Sequence, residues 1–327
     1  MNSEPVLGGS GPSLPEGPQL PPGEHPMTRI FLGPDGLRVG WRLLIAISLW
    51  FVLSGILPLL LIWIPGVRAL ITHLSAPLII TPATLLFGDG ITASAALLTA
   101  LVMTKIEHRS FAAYGLPGRE AFGKRFWQGA LYGFAMISLL MGAIAALHGF
   151  SVQGLSLNAA TAAKFGLLYF AGFIAVGMFE EFSFRGYLQS TLQLSAGFWP
   201  TAAILAVVFG AIHLGNPGEA KYGAVMAGAF GLLAAFTLRR TGSIWFAIGL
   251  HSMWDWGETF FYSVRDSGVP AAGHLVNSQF HGPSWLTGGT VGPEGSVIVF
   301  GVLGVSALVI HLLFPTRQFP APERRQQ

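Results

Sequence analysis

The chain has 327 residues, of which 52% are hydrophobic and only 10% charged, with a formal net charge of +3 and no cysteine. A soluble domain carries roughly 25% charged residues, so a soluble fold of this composition would leave large apolar patches in water. The apolar residues come in long blocks, which excludes a disordered low-complexity chain. The lack of cysteine excludes disulfides, thiolate nucleophiles and Cys-bound metal, and the small net charge gives no reason to expect a nucleic-acid partner.

Residues 1 to about 28 are punctuated by Pro and Gly and contain no apolar run. They read as a disordered tail and not as a signal peptide, which needs a continuous apolar segment. The tail extends to residue 41 and gives way to a membrane domain over 42–315, followed by a short C-terminal tail at 316–327. A membrane-spanning helix needs about 20 mostly apolar residues. Eight candidate runs follow in order: Leu43 to Ile64, Pro77 to Thr104, Phe126 to Leu147, Phe165 to Phe184, Trp199 to Leu214, Tyr222 to Leu238, Ser243 to Phe261 and Val297 to Phe314. The fold class is therefore all-α, a polytopic bundle of about eight spans. The second run is interrupted at Gly88-Asp89-Gly90.

Charge placement supports this count. With eight spans, the clusters Arg29, Arg38 and Arg42; Lys105 to Arg125; Arg239 and Arg240; and Arg317, Arg324 and Arg325 all fall on one side, which the positive-inside rule makes the cytoplasm. Both termini are then cytoplasmic, in an inner or plasma membrane. The segment Tyr262 to Ser296, with one Arg and no Lys, falls outside. A turn at Gly88-Asp89-Gly90 would move the basic loop after Lys105 outside, so one kinked span is expected there. Between Glu107 and Phe126, basic residues mix with Phe111, Tyr114, Phe122 and Phe126, a pattern expected of a segment lying in the cytoplasmic interface. Gly129 and Gly133 form a small-xxx-small pair, expected to bring helices together within the chain.

Ionisable groups within the apolar runs are costly and need a reason. From Trp127 to Pro217 the only Lys, Arg, Asp or Glu residues are Lys164, Glu180, Glu181 and Arg185. Glu181 and Arg185 are spaced i,i+4 and can pair on one helix face. Glu180 lies about 100° away around the helix, so its partner must come from elsewhere. His213 ends the fifth run. His251 lies deeper, in the seventh, i,i+4 from Asp255. Groups from three spans are expected to face the bundle interior or a wet cavity. A carboxylate can take a proton from water. Two His and a carboxylate can hold Zn2+ with one position open, and without metal a His can steady an oxyanion.

The segment Glu180-Glu181-Phe182-Ser183-Phe184-Arg185 resembles the EExxxR motif of the CPBP family of intramembrane proteases, which groups type II CAAX prenyl endopeptidases with bacteriocin-processing and bacteriocin-immunity proteins. Phe209 to His213 is similar to that family's FxxxH motif, and His251 to Asp255 to its HxxxN motif, in the family's order and each in its own span. The resemblance covers about Phe126 to Tyr262. It implies that Glu180 activates the attacking water, that Glu181 and Arg185 are the accompanying pair, that His213 works with the glutamate, and that His251 serves a metal or the oxyanion. Phe209 is the first residue of its motif and stands with the supporting set. Asp255 departs from Asn; an ionised Asp only accepts hydrogen bonds, which suits a metal-binding or His-orienting role better than an oxyanion role. A metal, Zn2+ or another divalent ion, would sit on Glu180, His213 and His251; the family is described both with and without one. The expected activity is hydrolysis of a peptide bond near the membrane surface, with a peptide or membrane protein as substrate and the bilayer as solvent. Two other readings use the same residues: a proton-coupled carrier, and a non-catalytic immunity protein.

Overall fold

The computed structural model describes residues 28–33, 36–64, 66–68, 79–216, 218 and 221–319. The expected tail falls outside the described residues up to residue 27. Beyond it, a short helix, Thr28–Phe31, and paired strands Leu32–Gly33 and Gly36–Leu37 lead into the first long helix, so the expected tail ends in ordered structure. The molecule is predominantly helical, and the eight apolar runs correspond to eight helical segments.

Helix α1 is Val39–Leu61, α2 Pro82–Glu107, α3 Lys124–Ala146, α4 Ala159–Ala196, α5 Phe198–His213, α6 Lys221–Thr241, α7 Ile244–Trp256 and α8 Ile298–Leu313. Of these, α1, α2, α3, α4 and α6 are long and apolar enough to cross a membrane, while α5 and α8 are apolar but shorter. The chain is thus a multi-pass membrane protein. Its outward surface is apolar, with Leu131, Leu167, Val207 and Leu312 all more than two-thirds exposed, which is stable only against lipid tails.

Helix α2 starts on a reciprocal cap: Thr84 N–H donates to Thr81 Oγ1 (3.1 Å), Thr81 N–H donates to Thr84 Oγ1 (2.8 Å), and Pro82 occupies the first turn. It passes through Gly88-Asp89-Gly90 without a turn, by widening into a π-helical stretch at Leu85–Asp89. The single span expected there is therefore observed. Asn158 caps α4 by accepting from Thr161 N–H (2.9 Å).

Helix α7 is the axis of the bundle. Every residue from Ile244 to Ser252 is buried, as expected of a helix that is apolar all round. It packs on α3 through glycines. A Cβ at Gly129 would lie 2.0 Å from the Phe246 carbonyl oxygen, one at Gly133 2.0 Å from that of Leu250, and one at Gly249 2.1 Å from that of Phe126. The small-residue pair of α3 thus serves close packing within the chain.

The described members of the basic clusters gather at one end, while Arg324 and Arg325 lie outside the described residues. Arg42 and Arg109 pair with Glu107 (3.6 and 3.3 Å), Arg239 donates to the Phe319 carbonyl (2.8 Å), and Arg125 lies over the Phe314 ring. The segment 107–126 is there too, but it packs inward more than expected. Tyr114, Leu116 and Phe126 are buried, and the Phe111 ring stacks on Phe182. Only Phe122 keeps the exposed aromatic face that an interfacial anchor needs. At the opposite end, strands β1 (Phe150–Leu155) and β2 (Val276–Phe280) pair antiparallel with a bulge between Val152 and Gly154, and Ile80 N–H donates to the Pro270 carbonyl (2.8 Å).

Candidate functional site

Expected boundaries that end the fourth run near Phe184 put Glu180 and His213 at opposite ends of consecutive spans. The structure removes this conflict. Helix α4 continues beyond Glu181 through a π-helical stretch, Phe182–Leu188, to Ala196. It reverses at Gly197, whose φ of +79° suits glycine. The last turns of α4 pack against α5. Glu180 lies 17 residues before this reversal and His213 lies 16 after it. At a rise of about 1.5 Å per residue, the two arms carry them roughly 25 and 24 Å back to one level.

Both side chains line one cavity of about 770 Å3, together with Phe209, His251 and Asp255. His251 Nδ1–H donates to Glu181 Oε1 (2.8 Å), and its Nε2 faces Glu180 Oε2 at 3.7 Å and Asp255 Oδ2 at 3.5 Å. Glu181 is fully buried and is also held by Arg185 Nη1 (3.1 Å), the i,i+4 pair expected from spacing. Glu180 is different. Its side chain is 20% exposed, toward the cavity. The two adjacent glutamates thus divide into a buried structural carboxylate and a cavity-facing one.

Arg185 is itself buried. Its Nε donates to the Gly231 carbonyl (3.3 Å), and its guanidinium lies 4.3 Å from the centre of the Phe209 ring. A Cβ at Gly231 would meet Arg185 Nη2 at 2.4 Å, so a larger residue there would push the guanidinium from its place. Phe209 is the hub of the wall: its ring also lies 4.6 Å from that of His213 and 5.1 Å from that of Phe184. His213 Nδ1 is 2.7 Å from the Phe209 carbonyl oxygen. A carbonyl only accepts, so Nδ1 carries the proton and neutral His213 presents Nε2 as an acceptor.

The donor set meant for a metal fits one ion poorly. Each His has its Nδ1 committed, leaving Nε2 of each and the Glu180 carboxylate. Zn2+ needs ligand atoms about 2.0–2.3 Å from the ion, hence close to one another. Among the described residues, the group of three ligand-type residues whose atoms come within 4.8 Å of one another contains neither histidine.

Three further acids line the cavity without belonging to any motif noted in the sequence: Asp89, Asp266 and Glu294. Asp89 had a signal, since it is an ionisable group inside an apolar run that was read only as a kink. Asp266 and Glu294 lie in the outer segment and had none. Burial pushes Asp266 up to about 8 from an ordinary 3.8, with the Glu294 charge adding to it. The three π-helical stretches among the described residues, at Leu85–Asp89, Phe182–Leu188 and Gly257–Phe261, hold or adjoin an ionisable residue of this region, in keeping with the tendency of such stretches to occur at functional sites.

A comparison with curated proteins finds no match. The family model for type II CAAX prenyl endopeptidase Rce1-like proteins matches residues 162–257, a segment holding Glu180, Glu181, Arg185, Phe209, His213, His251 and Asp255. The match runs from α4 through α7 and takes in all three motifs, so this part of the chain is similar to the type II CAAX prenyl endopeptidase family.

Proposed function

We propose that the chain is an intramembrane endopeptidase that hydrolyses a peptide bond with water activated by Glu180. The observation that carries this reading is the meeting of Glu180 and His213, from two arms of one helical hairpin, on a common cavity beside His251. Glu180 is the cavity-facing carboxylate and takes the proton of the attacking water. His213, with its proton held on Nδ1 by the Phe209 carbonyl, accepts at Nε2 and orients that water. Glu181 and Arg185 position His251, and Asp255 holds the ring from the same helix. His251 thereby presents Nε2 to the reacting centre, where a donor can steady the developing oxyanion. Asp255 acts through His251, in agreement with its departure from Asn. The residues support this sequence without a metal ion in any step.

The substrate is a peptide or a segment of a membrane protein that enters the cavity from the bilayer or its surface. A CAAX-type C-terminus is the substrate class that the family name suggests. The protein resides in the inner or plasma membrane with both termini cytoplasmic. The test is turnover of a quenched peptide library by the reconstituted protein and by Glu180→Gln. Loss of cleavage by at least a hundredfold, with an unchanged melting temperature, supports the assignment, because among the described residues Glu180 accepts no close hydrogen bond and its side chain is partly exposed. Cleavage that persists in Glu180→Gln refutes it. Ion flux with no proteolysis indicates a carrier.

A further inference from the structure

A second cluster lies beside the proposed catalytic cavity, and the reaction above makes no use of it. One carboxylate oxygen from each of Glu258, Asp266 and Glu294 lies within 4.8 Å of the other two. They come from different parts of the chain: Glu258 from the π-helical stretch after α7, and Asp266 and Glu294 from near the two ends of the outer segment. Glu294 is buried and accepts from Trp254 Nε1–H (3.0 Å), Ser267 N–H (3.1 Å) and Ser267 Oγ–H (2.6 Å). Asp266 accepts from Thr259 Oγ1–H (3.0 Å).

Glu258 is the decisive member. It is fully buried, and neither of its oxygens accepts a hydrogen bond. A buried carboxylate without a partner is strongly unfavourable. Among the described residues no Lys or Arg pairs with any of the three; the ion pairs of Arg42, Arg109 and Arg185 go to Glu107 and Glu181. The neighbouring Arg265 turns its Nη1 to the Gly268 carbonyl instead. Among the described residues, three acids are thus aimed at one point with no paired lysine or arginine to balance them.

We propose that Glu258, Asp266 and Glu294 form a binding site for a divalent cation, and that Ca2+ is the ion it takes. The donors are all oxygen, with no nitrogen or sulfur, which disfavours Zn2+ and suits a hard cation. Three carboxylates at irregular positions match the flexible coordination of Ca2+ better than the strict octahedron of Mg2+. The bound ion ties both ends of the outer segment to the helix that carries His251 and Asp255. Because Asp266 and Glu294 also line the cavity, the ion sets the shape of its wall. This site is separate from the Glu180–His213–His251 set and does not depend on the protein being a protease.

The experiment uses the full chain, purified in detergent and stripped with chelator. Tb3+ is titrated with excitation through tryptophan, since Trp254 touches Glu294 directly, and is then competed with Ca2+; melting temperature is measured with and without Ca2+. The expected result is a saturable Tb3+ emission displaced by Ca2+, together with a melting temperature several degrees higher in Ca2+. Asp266→Asn, at a partly exposed position that tolerates substitution best, should weaken both responses tenfold or more, as should Glu294→Gln. Glu120→Gln, at the arginine-rich end, should leave them intact. Wild-type protein with no Ca2+-displaceable emission and no thermal response overturns the proposal, as does a response unchanged in Asp266→Asn. In either case the three carboxylates are held by shared protons.

Discussion

Replacing Gly133 by alanine tests whether the α3–α7 contact positions the site. The new Cβ would lie 2.0 Å from the Leu250 carbonyl oxygen and 2.9 Å from its Cα, whereas ordinary contact begins at 3.4 Å. The obstacle is backbone, so no rotamer change relieves it, and the helices must separate by about 1.4 Å. Leu250 precedes His251, which moves with it. If the shift lies along the Glu181–His251 hydrogen bond, its 2.8 Å becomes about 4.2 Å and the bond is lost. Overpacking of this kind costs about 1–3 kcal/mol, and a misplacement of about 1 Å at a catalytic group costs on the order of a hundredfold in rate. Gly142, on the same helix, is the control: a Cβ there meets nothing within 4 Å, and alanine should be neutral or stabilise by about 0.5–1 kcal/mol. The assay is peptide turnover in proteoliposomes alongside thermal unfolding. If Gly133→Ala matches wild type in both while folding normally, the close contact does not position the site and the reasoning fails.

Other substitutions separate structural from chemical roles. Glu181→Gln leaves the buried Arg185 and His251 without their shared carboxylate, and breaking a buried pair in this way costs about 3–5 kcal/mol. A large drop in melting temperature is therefore expected, in contrast to Glu180→Gln, and equal melting temperatures for the two variants would contradict the division of labour. For Asp266, the folded state holds the proton up to about pH 8 while the ordinary value is 3.8. The folded form therefore binds protons more tightly across this interval, and stability falls as pH rises from about 4 to about 8. Melting curves taken in chelator across that range should slope downward for wild type and flatten for Asp266→Asn; identical slopes would show that Asp266 is not the group responsible.

Much of the site was legible because its members sit where such groups are expensive. Glu180, Glu181 and His251 interrupt apolar runs and Arg185 directly follows one, and helical spacing alone paired Glu181 with Arg185 and left Glu180 to find a partner elsewhere. The pairing of His251 with Asp255 was readable in the same way. Hydropathy did not show that α4 runs on to Ala196. The residues after Arg185 mix leucines with polar side chains, and Gln189, Ser190 and Thr191 are buried by α5 and the neighbouring elements and not by lipid. A tertiary contact thus decides where that helix ends, and the level of His213 depends on it. Asp266 and Glu294 were invisible for another reason. Acids in a polar loop are ordinary, and only the fold of the outer segment brings them to the cavity wall.

The direction from which a substrate reaches the cavity follows from the ends of the bundle. His251 lies seven residues from Ile244, at the arginine-rich end, so it sits roughly 10 Å inside along α7. The rest of the cavity wall includes Ile80, Asn216, Ser267 and Ala272, all at the opposite end. Asn216 Nδ2–H donates to the Ser267 carbonyl (3.1 Å), and the Tyr169 hydroxyl donates to that of Ile80 (3.0 Å). If the arginine-rich end is cytoplasmic, as the positive-inside rule predicts, the cavity rim should face outward. The native chain has no cysteine, which makes this directly measurable. Ala272→Cys, at an exposed position on the rim, should react with a membrane-impermeant maleimide in intact cells. Glu120→Cys, exposed near the arginines, should react only after the membrane is opened. The reverse pattern would invert the topology and turn the cavity toward cytoplasmic substrates. Equal labelling of both before permeabilisation would mean that the two positions do not lie on opposite sides of the bilayer, and the eight-span arrangement would fall with it.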